Sequence, residues 1–403
     1  MAQPSASTRQ MPRGVVVTVL GALQIPAWGS TFYLLAVLAK PIAADTGWAY
    51  DRVMGGLALG LLVAGAVSPR VGRAVARHGG RAVLPCGAVL IAGGLALIGT
   101  AQNLAVYFLG WAIAGAGMGA GLYDSVFATF GALYGRSARG AITAVTLLGG
   151  FASTVCWPCS AFLVEHFGWR AACLTYAAWH ICLALPLYLI VIPSLRRGEA
   201  ADDAAPTAAA ALRPDERFVF VLVATVLTVA AAILSLIGSQ LVVLLQGFGV
   251  ALTHAVALGM IIGPGQVGAR LIEMFAGSRY HPIWTMIASA VMVCVGVTLL
   301  FAGPAMFALA ILLYAGGNGI GSIARGTLPM ALFGPARYPV LAGKLALPML
   351  CAMALSPYLG ALALELGGVK ATLVLIAALA LINVALVFVL YTLTRGTRRQ
   401  RLN

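Results

Sequence analysis

Apolar runs follow one another along almost the whole chain and are separated by short polar loops. A helix that crosses the hydrocarbon core of a bilayer needs roughly 20 apolar residues, and twelve runs come close to this length or exceed it. The pattern predicts an all-α integral membrane protein with twelve transmembrane helices. The predicted spans lie near 15–39, 53–69, 82–101, 105–133, 141–163, 171–192, 218–245, 254–275, 283–302, 305–333, 340–364 and 371–394.

The least hydrophobic stretch, residues 194–216, divides the predicted spans into two sets of six. Its charged ends flank an Ala- and Pro-rich middle that is typical of a flexible linker. We therefore expect an N-terminal six-helix bundle over residues 1–193, this cytoplasmic linker, and a C-terminal six-helix bundle over residues 217–403. The halves look like repeats, because glycine rows in the fourth and tenth spans lead to Asp124 and Arg325 respectively. Repeated halves with a site between them are typical of secondary transporters.

Composition agrees with a membrane location and argues against other classes. Hydrophobic residues make up 61% of the chain and charged residues 9%, with a mean hydropathy of +0.98, whereas soluble domains carry about 25% charged residues. The net charge of +14 comes from Lys and Arg in short loops, so we expect lipid rather than nucleic acid as the partner. No nucleotide-binding loop of the Gly-x-x-x-x-Gly-Lys type occurs. We expect no cofactor, no metal and no enzymatic activity.

The distribution of basic residues predicts the orientation. With the N-terminus inside, 18 of the 25 Lys and Arg residues fall on the cytoplasmic side, 4 fall outside and 3 lie within predicted helices. Cytoplasmic loops carry such an excess of Lys and Arg. We therefore expect a multi-pass protein of the bacterial inner membrane with both termini in the cytoplasm.

The loop after the second span carries a recognisable motif. It reads Gly72-Arg73-Ala74-Val75-Ala76-Arg77-His78-Gly79-Gly80-Arg81. This loop resembles the Gly-x-x-x-Asp-Arg-x-Gly-Arg signature of the major facilitator superfamily, a likeness that implies two six-helix bundles and transport by alternating access. Ala76 replaces the signature Asp, which in that family is thought to join a charge relay. Arg77 and Arg81 must therefore find other partners, such as lipid phosphates.

Shorter motifs are similar to bacterial relatives of the monocarboxylate porters and the oxalate/formate antiporters. They are Thr46-Gly47-Trp48 and Gly168-Trp169-Arg170. This resemblance implies that Arg270 in the eighth span holds a substrate carboxylate, which a guanidinium grips through two parallel hydrogen bonds. Lys344 in the eleventh span would assist.

Both roles have structural alternatives. Arg270 could instead pair with Glu273 one turn later, and Lys344 could extend to the membrane surface as a snorkelling side chain. Gln266 stands where the monocarboxylate porters carry an Asp, so proton coupling through that acid is not expected. Gln266 itself is a candidate substrate contact.

Asp124 and Arg325 are charged residues at nearly matching positions of the two halves. They could close a cytoplasmic gate, or Asp124 could carry a coupled proton, because burial disfavours the charged form of a carboxyl group. The alternatives are a static ion pair, or an Asp124 bonded to a nearby hydroxyl such as that of Ser125.

A polar and aromatic face of the first span is a candidate cavity wall. Gln24, Trp28 and Thr31 share this face at helical spacing, and Pro26 would allow bending there. Asn318 in the tenth span is a further candidate contact. The alternative is hydrogen bonding between helices, which is worth about 0.6 kcal/mol on average.

These features predict a secondary active transporter that moves a small organic anion, in particular a carboxylate, with protons or a counter-anion as possible coupled solutes. The alternative is efflux of drug-like, cationic or metalloid compounds coupled to protons through Asp124. Cys156 and Cys159 have the spacing of a redox or metal motif but lack a second ligand pair. The sequence sets no oligomeric state, and a monomer is plausible.

Overall fold

The computed structural model of the chain describes residues 11–193, 212–276 and 280–400, and this part is helical without a β-strand. The helices are α1 (Arg13–Gly29), α2 (Leu34–Thr46), α3 (Tyr50–His78), α4 (Gly80–Thr100), α5 (Leu104–Gly121), α6 (Tyr123–Tyr134), α7 (Ala138–Gly149), α8 (Ala152–Trp179), α9 (Leu185–Val191), α10 (Pro214–Gly247), α11 (Leu252–Gly259), α12 (Ile262–Ala276), α13 (Pro282–Leu299), α14 (Phe307–Phe333) and α15 (Tyr338–Gln400). A π-helical turn, His180–Ala184, joins α8 to α9.

The predicted twelve membrane crossings are confirmed. Within the described ranges, ten helical stretches are long and apolar enough to cross a bilayer. Two of them, Ala138–Val191 and Tyr338–Thr394, contain 54 and 57 residues, which is more than twice the length of one crossing. Each is interrupted by a glycine of positive φ, Gly168 at 80° and Gly368 at 67°. Each therefore makes two crossings.

The turns between helices repeat from one half of the chain to the other. Glycines of positive φ end equivalent helices about 200 residues apart, in the pairs Gly47 and Gly249, Gly135 and Gly334, and Gly168 and Gly368. Because a positive φ strains every other residue type, these pairs mark the same turn in each half. The fold is thus two pseudo-symmetric six-helix bundles.

The division into residues 1–193 and 217–403 stays a prediction. The predicted linker, 194–216, lies outside the described residues as far as residue 211. Its last three residues belong to α10, which begins at Pro214.

Within the described ranges, four crossings are interrupted by a short non-helical break between two helices. The first breaks at residues 30–33, the fourth at Leu122, the fifth at residues 150–151 and the eighth at residues 260–261. Broken backbone is tolerated at membrane depth only where neighbouring groups satisfy its carbonyl and amide groups. Polar side chains that reach these breaks are therefore part of what holds the fold.

The two halves pack together mainly at one end of the bundle. We call it the basic end, defined by the loops at residues 78–80, 135–137 and 334–337. The α6 and α7 segments, which lie on this side of their breaks, pack against helices of the second half, whereas α5 and α8 make no comparable contact in the described part of the chain.

Glycines bring the backbones of α3 and α15 together near the basic end. A Cβ on Gly72 would collide with the carbonyl oxygen of Pro339, and one on Gly343 would collide with that of Ser68. Small residues allow such close helix packing in membranes. The bundle is thus closed at the basic end.

We expect Gly368→Ala to lower the free energy of unfolding by about 1–3 kcal/mol, because its backbone conformation is essentially restricted to glycine. Gly238→Ala in α10 is the matched control. A Cβ at either position meets no atom within 4 Å, but Gly238 is helical. The control should be neutral or stabilising. Equal melting temperatures for the two variants in detergent would contradict the assigned break.

Candidate functional site

Arg270 lies in α12 and connects the two halves of the protein. Its side chain is buried, with 5% of the residue exposed. Nη1 donates to the carbonyl oxygen of Thr146 in α7 at 2.9 Å, and Nε donates to that of Gly319 in α14 at 3.1 Å. Nη2 donates to Oε1 of Gln266 at 3.3 Å. Thr146 lies in the last turn of α7, so Arg270 satisfies a carbonyl at the break of the fifth crossing.

The charge of Arg270 has no acidic partner among the described residues. The buried charged residues of this part of the chain are Arg270 and Glu216. Glu216 is neutralised, because both terminal nitrogens of Arg337 donate to its carboxylate at 2.7 Å. The partners of Arg270 are all uncharged oxygen atoms. A buried ion without a counter-ion is unfavourable, and in a membrane protein it marks a functional site by default.

The alternative that Arg270 pairs with Glu273 is wrong. Oε1 of Glu273 accepts a hydrogen bond from Nη2 of Arg139 at 3.2 Å and another from the hydroxyl of Thr285 at 2.7 Å. Arg139 lies in the first turn of α7 in the first half, so this ion pair crosses the interface near the basic end. Helical spacing alone would pair the carboxylate of Glu273 with Arg270, but Glu273 pairs instead with Arg139 of the other half.

Aromatic side chains lie beside the guanidinium. Glycines at the end of α7 provide the contact: a Cβ on Gly150 would collide with Nη1 of Arg270, and one on Gly149 would collide with the hydroxyl of Tyr123. The ring of Tyr123 packs against Trp28, with centroids 4.9 Å apart.

Two tyrosines belong to this aromatic group. The rings of Tyr33 and Tyr123 pack against Trp28, with centroids 6.4 and 4.9 Å apart. We call Arg270, Trp28, Tyr33 and Tyr123 the central cluster. It combines residues of both halves, since Arg270 belongs to α12 of the second half.

Asp124 and Arg325 form an ion pair between the halves. Nε of Arg325 donates to Oδ1 of Asp124 at 3.1 Å and Nη2 donates to Oδ2, so the contact is bidentate. Asp124 lies in the first turn of α6, where the helix dipole stabilises a negative charge. Both side chains, with Tyr338 of α15, line a cavity with room for about one water molecule. The hydroxyl of Ser125 does not hold Asp124, because it donates to Gly119 O at 2.8 Å.

Other predicted contacts are residues of the first and tenth spans, and two of them bond to backbone carbonyl groups. Nε2 of Gln24 donates to the carbonyl oxygen of Gly121 at 2.9 Å, where α5 ends. The hydroxyl of Thr31 donates to that of Ala27 at 2.5 Å. These bonds fit the alternative of hydrogen bonding that supports the helices. Asn318 is half-buried and precedes Gly319, an acceptor for Arg270.

Lys344 is not brought into the central cluster. Its side chain is exposed, two turns into α15 and close to the basic end. Gly343 beside it packs on α3, whereas Arg270 packs on α7 and α14. A snorkelling lysine fits this position.

The loop motif supports packing at the basic end. Gly72 packs on α15, and Gly80 packs so closely on Thr129 of α6 that a Cβ would collide with its side chain. Nη1 of Arg81 donates to Ile192 O at 3.3 Å, a protein partner where lipid phosphate was expected. Arg73 is half-buried and Arg77 is exposed.

Several residues of this region have no signal of their own in the sequence. Tyr123 and the ion pair of Arg139 with Glu273 depend on which helices meet between the halves, and no local pattern reveals this. The pair Gly149-Gly150 was the available signal, because adjacent glycines in a crossing mark a break or a close approach.

A comparison with known protein families gives a match over more than half of the chain. The sequence pattern described as Major Facilitator Superfamily matches residues 20–278. No curated protein matches the chain by sequence.

Solved structures of transporters share the fold. The human organic anion transporter MFSD10 (TETRAN) is similar with a TM-score of 0.76 and 16% sequence identity, over 94% of this chain and 100% of that one. The fucose:proton symporter FucP of E. coli has a TM-score of 0.71 and 13% sequence identity, over 93% of this chain and 98% of that one. A structure of FucP in the outward conformation has a TM-score of 0.71 and 12% sequence identity, over the same shares of the two chains. At these identities the likeness concerns the fold alone.

We expect Asp124 and Arg325 to be energetically coupled. Asp124→Asn and Arg325→Gln should each destabilise the protein, because each leaves a partly buried charge unpaired. The double variant should lose less stability than the summed losses of the two single variants, and the difference should be about 0.5–3 kcal/mol. Unfolding free energies in mixed micelles measure this difference.

The exposed pair of Asp45 and Arg170 at the opposite end is the matched control, with side chains 50% and 42% exposed. Exposed pairs contribute little, so Asp45→Asn and Arg170→Gln should be nearly additive. Additive effects at Asp124 and Arg325 would show that the pair does not hold the halves together.

Proposed function

Because the chain belongs to the major facilitator superfamily, it is a membrane transporter of a solute, and we propose that this solute is a small organic anion bound by Arg270. One observation carries the proposal. Arg270 is the buried charged side chain that lacks an ion pair among the described residues, and it lies where the two halves meet. An anionic solute would supply the missing counter-charge.

The guanidinium keeps donors for a ligand. It has five N–H groups, and its three hydrogen bonds in this structure leave one N–H on each terminal nitrogen. Two such donors are what a carboxylate engages in a bidentate contact. The neighbouring Gln266 orients the guanidinium through its side-chain oxygen. A carboxylate therefore suits the site better than a neutral solute.

Alternating access follows from the same contacts. We propose that the basic end is cytoplasmic, because its loops are rich in Arg, and that the structure represents an outward-facing state. The ion pairs Asp124 with Arg325 and Arg139 with Glu273 would act as the gate that opens toward the cytoplasm. An anion on Arg270 would compete with Thr146 for the guanidinium and so loosen a contact between the halves.

Asp124 serves in this scheme as a gate residue, because Arg325 holds its carboxylate. The coupled solute is a proton or a counter-anion. MFSD10 is an organic anion transporter, which agrees with an anionic solute, whereas FucP has the same fold and is a fucose:proton symporter. The fold by itself therefore does not decide the solute of this chain.

Efflux of a cationic compound is the second candidate. The aromatic rings of Trp28, Tyr33 and Tyr123 favour it, because cations bind to aromatic faces. The positive charge of Arg270 beside these rings opposes it. A metalloid site is not supported, since Cys156 is buried while Cys159 is exposed.

A carboxylate solute should raise the melting temperature of the purified protein, and Arg270→Gln should abolish the effect. Ligand at 100 times its Kd stabilises the folded state by about 2.7 kcal/mol. The panel contains oxalate, lactate, larger carboxylates, lipophilic cations and arsenite. Thermal unfolding in detergent, followed for both proteins side by side, gives the shift.

Lys344→Gln is the matched control, because it removes a positive charge outside the central cluster and should leave the shift unchanged. A shift by cations alone, or a carboxylate shift that survives in Arg270→Gln, would overturn the proposal.

A further inference from the structure

The charges of the region set the charge of the ligand. Two other arginines of the interface are neutralised: Asp124 pairs with Arg325, and Glu273 pairs with Arg139. Lys344 is exposed and lies outside the central cluster. Among the described residues of the region, one uncompensated positive charge therefore remains, that of Arg270, and it calls for a ligand with one negative charge. A dicarboxylate would bring a second charge that no described basic group of the cluster can neutralise.

The other side chains of the cluster set the shape of the ligand. Trp28 is half-buried and forms the centre of an aromatic wall, in contact with Tyr123 at 4.9 Å, Phe32 at 5.7 Å and Tyr33 at 6.4 Å between ring centroids. Trp157 meets the outer side of Tyr33 edge-on. Such a wall favours a flat apolar body, because aromatic rings gain stacking and edge-to-face contacts beyond the area that they bury. A small polar acid would leave this wall unused.

One polar atom of the cluster remains without a protein partner. The indole Nε1 of Trp28 is buried and makes no hydrogen bond in the described part of the chain. A buried donor that stays unpaired is unfavourable, and the great majority of such groups have a partner. Trp28 packs on Tyr123, whose hydroxyl lies against Gly149, and the adjacent Gly150 lies against Arg270. A ligand oxygen near Arg270 could therefore engage the indole.

We infer that the ligand of Arg270 is an aromatic monocarboxylate, whose carboxylate is held by the guanidinium and whose ring packs on Trp28. This inference rests on the proposed function and narrows it from organic anions in general. It excludes small dicarboxylates and small aliphatic acids as preferred ligands.

The test compares ligands that differ in one property each. Benzoate is the probe, benzamide removes its charge, cyclohexanecarboxylate removes its aromatic ring, lactate removes its apolar body, and oxalate adds a second charge. The half-saturating concentration of each is measured from the melting shift of the wild-type protein. We expect benzoate to bind at least about tenfold more tightly than lactate and oxalate, severalfold more tightly than cyclohexanecarboxylate, and benzamide to give no shift.

Variants of the aromatic wall test the contact itself. Trp28→Leu should weaken benzoate about tenfold and lactate much less, since only the aromatic ligand uses the ring. Trp284→Leu in α13 is the matched control, because Trp284 is exposed, packs on Tyr391 and does not touch the central cluster. It should bind benzoate as the wild type does. Trp28→Phe keeps an aromatic ring and replaces Trp28→Leu in the test if the leucine variant does not fold. The phenylalanine variant should retain most of the benzoate affinity.

The outcomes separate this inference from the proposed function. Tighter binding of oxalate or lactate than of benzoate, lost in Arg270→Gln, would overturn the inference and leave the proposed function standing. An equal benzoate affinity in Trp28→Leu would also overturn it. The absence of any carboxylate shift that depends on Arg270 would overturn the proposed function, and the inference with it.

Discussion

The uncompensated positive charge of Arg270 is the constraint on which the centre of this protein depends. A charge at the middle of a membrane helix costs about 2.5–3.5 kcal/mol on insertion scales, so the fold must solvate it. Carbonyl oxygens of Thr146 and Gly319 do so from two helices. The break of the fifth crossing at Gly149-Gly150 leaves the space for the guanidinium. The broken helix, the glycine pair and the arginine are therefore one arrangement.

The contacts at the basic end have a different physical character. Asp124 with Arg325 and Arg139 with Glu273 are neutral as pairs, so they join the halves without adding charge to the centre. Glycine packing between α3 and α15 holds the backbones together over the same region. Because small-residue packing and partly exposed ion pairs are each modest in energy, such an interface can close in one state and open in another. Among the described residues that join the halves, Arg270 is the charged one without an ion pair.

Much of the fold was predictable because each crossing needs its own apolar length, and twelve such runs were present. The pairing of Asp124 with Arg325 was accessible from their matching positions in the repeats. The partner of Glu273 could not be predicted, because a contact between helices replaced the local one. The exposure of Lys344 could not be predicted either, since composition does not set the rotation of a helix about its axis. The tyrosines of the central cluster come from helices distant in sequence.

Solute exchange in proteoliposomes tests whether Arg270 is the site of an anionic solute. Vesicles that contain the purified protein are loaded with an unlabelled carboxylate, and labelled carboxylate is added outside. We predict that label accumulates transiently with the wild type, that it does not with Arg270→Gln, and that a labelled lipophilic cation is not exchanged by either. Exchange of the cation, or equal exchange of the carboxylate by the variant, would contradict the assignment of Arg270 as the site of an anionic solute.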